Sequence, residues 1–367
     1  MRKILLTTTA FVALGSVAAV AADVSVSGNA RFRYNSWSDD NALPATDAGA
    51  NNTSMTDVLQ LWVKSSATTD SGLSIGTNTR ILTSGAVDRN WIDVDGEFGK
   101  IDLGKQWSLS YSGSLHENWM GTVAGGVFMG GSTNGAAVTA RNAFSAADSG
   151  TGVAVTRRLA AAATGLAAMN STGFIGGNKN NKVIYHMPSI GGLNAAIGYM
   201  DAGATSEADE TSTHVSYTMP MGGGSLKLNM SSIATNNANV TSSESDGREI
   251  GVQYSAGFGR VYALQQNTQT TTAAGVSTND QEGTTFGGQY NLNSATKVVY
   301  YRQEMDQDGT TDTGDKFSSD TIGVRYDMAG GLRIGLLHSN FSFTDGATPL
   351  VNSENGTATR LQVRVNF

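Results

Sequence analysis

The sequence predicts an all-β protein, a 16-stranded antiparallel transmembrane β-barrel with a long third loop folded into its lumen. Three observations carry that prediction. Apolar and polar residues alternate with a period of two at both ends of the chain and in many segments between. The connections alternate between tight Gly/Pro/Asn turns and longer polar loops. Mean hydropathy is only −0.19, yet the chain opens with an export signal. A barrel reconciles these two facts, because only every second residue of its strands meets lipid.

The N-terminus comes first. Arg2 and Lys3 precede an apolar run from Ile4 to about Val20, which ends in the small residues Ala21 and Ala22 before Asp23. That is the form of a cleaved secretory signal peptide, expected over 1–22. A membrane-spanning helix would need about 20 apolar residues without a cleavage site. Removing Arg2 and Lys3 takes the basic count from 24 to 22 against 31 acids, a mature net charge of about −9. An acidic chain is a poor partner for nucleic acid. There are no cysteines, which excludes disulfides, thiolate metal sites and a thiol nucleophile. No metal site or cofactor is expected.

In the first mature segment Val24, Val26, Phe32 and Tyr34 alternate with Ser25, Ser27, Arg31 and Arg33. In the last, Leu361, Val363, Val365 and Phe367 alternate with Arg360, Gln362, Arg364 and Asn366. These two strands are expected to pair and close the barrel, removing the open edge a bilayer forbids. Between them, strands are read near 54–67, 72–82, 89–97, 100–106, 182–188, 192–200, 213–219, 225–234, 248–256, 259–268, 284–292, 296–304, 319–328 and 332–344. Tight turns fall at Thr69–Gly72, Pro188–Gly192, Pro220–Gly223, Asn293–Ser294 and Ala329–Gly331. Longer loops are expected at 235–247, 269–283, 305–318 and 345–356. An even strand count puts both termini on the short-turn rim. The strand at 332–344 changes apolar phase between Leu336 and Phe341, which suggests a bulge or a wrong boundary.

One connection breaks the rhythm. From Trp107 to about Asn181 there is no pair of alternating strands. So long a stretch belongs in a compact fold only if it is functional. About 16 strands enclose an aqueous channel unless it is plugged, so the loop at 107–181 is expected to lie in the lumen, with a short helix over 158–169.

Several segments carry a family resemblance. They are Thr68–Leu73, the run Gly96-Glu97-Phe98-Gly99-Lys100-Ile101-Asp102-Leu103-Gly104-Lys105, Asn181–Tyr185 followed by Pro188 and Gly192, and the terminal Phe367. In this order they resemble Gram-negative general porins of the α-proteobacterial, Rhodobacter type. The resemblance covers the mature chain, 23–367. It implies a homotrimer in the outer membrane, with a water-filled channel for passive diffusion of small hydrophilic solutes and ions. It also implies contact with lipid and lipopolysaccharide, a third loop in the pore, and Phe367 as the barrel-assembly signal.

With apolar residues set toward lipid, the inward set includes Arg31, Arg33, Lys64, Arg80, Arg89, Lys182, Lys227, Arg325, Arg333, Arg360 and Arg364. Six of these arginines fall on or near the closing strands and form a basic wall. Candidate acids to face it are Glu117 and Asp148 in the long loop, and Asp93, Asp95 and Asp102 near its root. Opposed rows of charge would set a field across the pore and tune ion selectivity. Tyr34, Tyr185, Tyr199, Tyr217, Tyr254, Tyr290 and Tyr326 are expected in aromatic girdles at the membrane interfaces.

Other classes fit less well. His116, His186, His214 and His338 show no metal-ligand spacing, and no G-x-S-x-G elbow is present, so no enzyme is indicated. Asp306–Asp315 is acidic enough to hold calcium loosely, but Thr311 and Phe317 break the EF-hand template. A secreted β-solenoid adhesin would need a fixed short repeat, and none is visible. A substrate-selective channel for a sugar or anion would want a file of aromatics in the pore. Trp62, Trp91, Trp107 and Trp119 are the candidates.

Overall fold

In the computed structural model the described residues are 23–39, 51–112, 115, 180–201, 209–237, 243–271, 277–309, 314–344 and 354–367. They form one closed ring of sixteen antiparallel strands, each bonded to its sequence neighbours, with β1 (Asp23–Asp39) bonded to β16 (Glu354–Asn366). Closure is direct: Asn29 pairs with Asn366 and the register runs unbroken to Asp39 opposite Gly356. Every strand therefore has two partners, as a backbone in lipid requires. The signal segment 1–22 lies outside the described residues.

The remaining strands are β2 (Asn51–Thr68), β3 (Ser74–Leu82), β4 (Val87–Gly96), β5 (Gly99–Gln106), β6 (Asn180–His186), β7 (Leu193–Met200) and β8 (Asp209–Met221). They continue with β9 (Gly224–Asn237), β10 (Ser243–Ala256), β11 (Gly259–Thr271), β12 (Ser277–Asn291), β13 (Thr296–Gly309), β14 (Asp315–Asp327) and β15 (Leu332–Thr344).

The burial pattern is the reverse of a water-soluble protein's. Val24, Phe32, Ile92, Ile197, Leu228, Ile250, Phe286, Ile322 and Leu361 are exposed on the outer face. Arg31, Arg33, Lys182, Glu210, Glu249, Gln303 and Arg360 are buried on the inner one. Lipid, not water, is the solvent that this outer face fits.

Several expected loops prove shorter, and the reason is physical. A band about 25 Å tall needs only about 9–11 tilted residues per strand, but β9 to β14 run 13–15 residues. Beyond the band both faces are wet, so alternation fades while backbone pairing continues. Thus 235–237 and 243–247 are strand, and β12 and β13 pair out to Asn279 and Gly309. Of the other expected loops, 269–271, 277–283, 305–309, 315–318 and 354–356 are strand in the same way. Much of the acidic run Asp306–Asp315 is therefore strand, with Lys316 3.6 Å from Asp306 and the Gly314 amide donating to Asp308 Oδ1 at 2.7 Å. Among the described residues no group of three or more metal-ligating side chains is found.

Neither a bulge nor a wrong boundary explains the phase change in 332–344, since β15 spans those residues. Pairing of β15 with β14 and β16 is continuous. The phase changes because Leu336 faces out, 43 % exposed, while its neighbour Leu337 faces in, 4 % exposed. Real register shifts occur instead between Arg80 and Ile81 and between Thr270 and Thr271.

Two glycines are set by close approach. Gly99 turns β4 into β5 at φ 105°, and a Cβ there would stand 2.2 Å from the His186 carbonyl oxygen. Gly28 exchanges backbone hydrogen bonds with Phe367 (2.7 and 3.1 Å) and lies under its ring. The C-terminal aromatic thus covers a strand glycine at the closing seam.

The long connection enters the barrel as expected at the end that is described. After β5 the chain makes one helical turn, α1 (Leu109–Ser112), against β7, β8 and β9. The Leu109 amide donates to Ser212 Oγ (3.4 Å) and the Leu115 amide to Glu249 Oε1 (3.2 Å). Leu109 and Leu115 are buried. Residues 158–169, Glu117, Trp119 and Asp148 lie outside the described residues.

Candidate functional site

Two rows of residues cross the seam of the barrel. In the first, Arg31 on β1 is opposite Arg364 on β16, Arg364 is opposite Arg333 on β15, and Arg333 is opposite Asp327 on β14. In the second, Arg33 is opposite Gln362, Gln362 opposite Gly335, and Gly335 opposite Arg325. Arg360 follows, opposite Asn35. All six arginines stand on four adjacent strands.

Like charges directly opposite across strands are destabilising. The structure relieves the repulsion with groups the sequence analysis missed. Asp327 accepts from Arg333 Nε at 2.5 Å and lies 3.2 Å from Arg325 Nη2. Gln362 Oε1 accepts from Arg33 Nε at 2.8 Å, and Asn366 Oδ1 from Arg364 Nε at 2.6 Å. The spacing Arg325-x-Asp327 was visible in the sequence; its reach to Arg333 was not.

A second basic group is built on β2, β3 and β4. Trp62 faces inward opposite Arg80. Around its ring stand Arg89 at 4.8 Å, Lys64 at 5.6 Å and Arg80 at 5.8 Å from the centroid. Trp91 meets Trp62 edge-on at 5.8 Å. Asp88, buried, accepts from Arg80 Nε at 2.7 Å and lies 3.5 Å from Arg89 Nε. The register shift after Arg80 lets consecutive Asp88 and Arg89 both approach Arg80, which strict alternation forbids.

The expected acids are placed differently from one another. Asp93 and Asp102 are directly opposite on β4 and β5. Asp93 accepts from Asn78 Nδ2. Asp102 lies 3.1 Å from Lys100 Nζ and 3.0 Å from His186 Nε2. Asp95 is opposite Lys100, next to the Gly96–Gly99 turn and so at the rim away from the long connection. Across the ring from the arginine wall, β8 stands eight places from β16. There the acids are Glu210 and, two strands on, Glu249. Glu210 Oε2 is 2.7 Å from Lys182 Nζ, the two side chains being 1 % and 0 % exposed. Glu249 accepts from Gln266 Nε2 (2.8 Å), Asn229 Nδ2 (3.3 Å) and the Leu115 amide. Lys182, placed with the basic lining by sequence, is thus half of a buried ion pair. Lys227 is half-buried on the inner face of β9, opposite Gln253.

Outside, Tyr199, Tyr217, Tyr290 and Tyr326 are exposed on the outer face. Tyr185 and Tyr254 donate to the Phe98 and Gly222 carbonyls of the short turns (2.7 and 3.1 Å). Tyr185, Tyr217, Tyr254, Tyr290 and Tyr326 mark the short-turn interface, whereas Tyr199, opposite Thr211 near the far end of β7, lies toward the other rim.

A closed ring of strands, apolar outside and densely charged inside, is a transmembrane channel of the outer-membrane type. The comparisons give the particular family. A family model for Gram-negative porins matches residues 7–345. The chain belongs to the Gram-negative porin family and is an outer-membrane porin forming a water-filled channel for passive diffusion of small hydrophilic solutes and ions. Among solved structures it is similar to an anion-selective porin from Comamonas acidovorans, at 17 % identity and TM-score 0.65, covering 95 % of this chain and 100 % of that one. It is similar to OmpT, an outer membrane protein of Vibrio cholerae, at 13 % identity and TM-score 0.64, covering 96 % and 100 %. A mutant of the Rhodobacter blastica porin matches at 15 % identity and TM-score 0.53, covering 94 % and 100 %. No curated protein matches.

Proposed function

We propose that this porin prefers anions, that it works as a homotrimer without catalytic activity, and that its signal peptide is cleaved near Ala22. One observation carries the preference. The inner face of β14, β15, β16 and β1 bears six arginines facing Asp327, whereas of the inward acids elsewhere Asp88, Asp102 and Glu210 are each engaged by a cation and Asp93 and Glu249 by side-chain amides. A wall with this surplus of positive charge favours a mobile anion over a mobile cation.

The long connection has the same sign. Between 113 and 179 the sequence holds Arg141, Arg157, Arg158 and Lys179 against Glu117 and Asp148. The acidic surplus of the whole chain sits elsewhere. Glu282, Glu304, Asp306 and Asp308 are exposed on the outer face near the long-loop rim. Charges there lie about a Debye length or more from the lumen axis and are screened. The anion-selective neighbour from Comamonas acidovorans is consistent with this reading.

The test is reversal potential across a planar bilayer under a KCl gradient, using detergent-purified protein. An anion-signed potential, with conductance closing in thirds, is expected. A cation-signed potential from stable channels overturns the anion preference. Single-step closure overturns the trimer.

A further inference from the structure

We infer that the Trp62–Trp91 cluster on the inner face of β2–β4 is a binding subsite for planar organic anions, aromatic carboxylates in particular. The inference rests on the reading of the lumen as an anion-preferring pore and deepens it.

Indoles are out of place on the wet face of a porin strand, since outward positions bury a ring against lipid and inward ones do not. Here two of them meet edge-on across β3, at 5.8 Å. Lys64, Arg80 and Arg89 ring the first, all within 5.8 Å of its centroid. Asp88 answers Arg80 and Arg89 but leaves the group with a positive balance, and Asp93 is taken up by Asn78. Lys64 is exposed.

A second observation is independent of charge. The Trp91 Nε1 atom is buried and has no acceptor among the described residues. Indole N–H is a donor only, and a buried donor without an acceptor is rare enough in a native fold to need a reason. A carboxylate supplies the charge that Lys64 and Arg89 attract, and its oxygen supplies the acceptor once the Trp91 ring turns its N–H toward the lumen. A flat ring on that carboxylate supplies the face that Trp62 and the guanidinium planes stack upon. Small inorganic anions satisfy only the first half, and neutral sugars only the second.

The probe is benzoate, with acetate as the control that keeps the carboxylate and lacks the ring. In a planar bilayer, benzoate is expected to lower single-channel chloride conductance saturably, and acetate at equal concentration is not. Trp62→Leu is expected to raise the half-blocking concentration about tenfold, the worth of one desolvated ring–ion contact. Arg89→Gln should raise it similarly and keeps the barrel's aromatic packing. Equal effects of benzoate and acetate, or benzoate block unchanged in both variants, would overturn the subsite. A parallel titration of tryptophan emission needs only the folded, detergent-purified barrel. A saturable benzoate quench weakened in Arg89→Gln supports the subsite. A quench linear in benzoate and identical in the variant overturns it, even where channels and anion selectivity are intact.

Discussion

Replacing Lys182 with methionine should destabilise the barrel by about 3–5 kcal/mol, the cost of leaving a lone carboxylate in the wall. The geometry sets the size. Lys182 Nζ and Glu210 Oε2 are 2.7 Å apart, with side-chain exposures of 0 % and 1 %. At an effective dielectric constant of about 20 their attraction is about 6 kcal/mol, and desolvating each ion costs several kcal/mol against it. The intact pair is therefore near balance, while Glu210 alone keeps the cost and loses the return. Methionine suits the space, because Lys182 Nζ already lies 3.6 Å from Met200 Sδ. It follows that Lys182→Met/Glu210→Leu should recover most of the loss. The assay is urea unfolding of the barrel in lipid vesicles, followed by tryptophan emission, for wild type, both single variants and the double. A single variant as stable as wild type would refute the argument. So would a double variant whose loss equals the sum of the singles.

Three further outcomes are expected. Gly28→Ala would place a Cβ 2.4 Å from the Gln60 carbonyl oxygen and 3.0 Å from the Phe367 ring; it should cost about 1–3 kcal/mol, seen as a lower temperature for loss of the folded band on unboiled gels. Glu249→Ala removes the acceptor of the Leu115 amide, Asn229 and Gln266. The connection then loses an anchor to the wall, and single-channel records should show more frequent partial closures at unchanged full conductance. Arg364→Glu reverses the middle charge of the row Arg31–Arg364–Arg333 and should move the reversal potential toward cations, by more at 0.01 M than at 1 M salt, because the Debye length falls from about 30 Å to about 3 Å.

Sequence alone was sufficient for the architecture because a barrel strand reports its two environments residue by residue. Val24, Val26 and Phe32 against Arg31 and Arg33 read lipid on one side and water on the other, and the closed ring with β1 beside β16 is what that reading requires. The same logic placed six arginines on one wall. It failed where its premise failed. Past the hydrocarbon band both faces of β9, β12 and β13 are wet, so strand ends such as Thr235–Asn237 and Asp306–Gly309 looked like loop. At the register shift after Arg80, adjacent Asp88 and Arg89 escape the parity rule.

What only the tertiary structure decided is pairing. Alternation says which face a charge is on, and says nothing about which strand's charge lies beside it. Lys182 with Glu210 skips over β7, Arg333 with Asp327 crosses a turn, and Glu249 reaches a backbone amide of the long connection from far along the chain. Such contacts depend on strand stagger and on side-chain reach across the ring. Both arise only when the sheet closes.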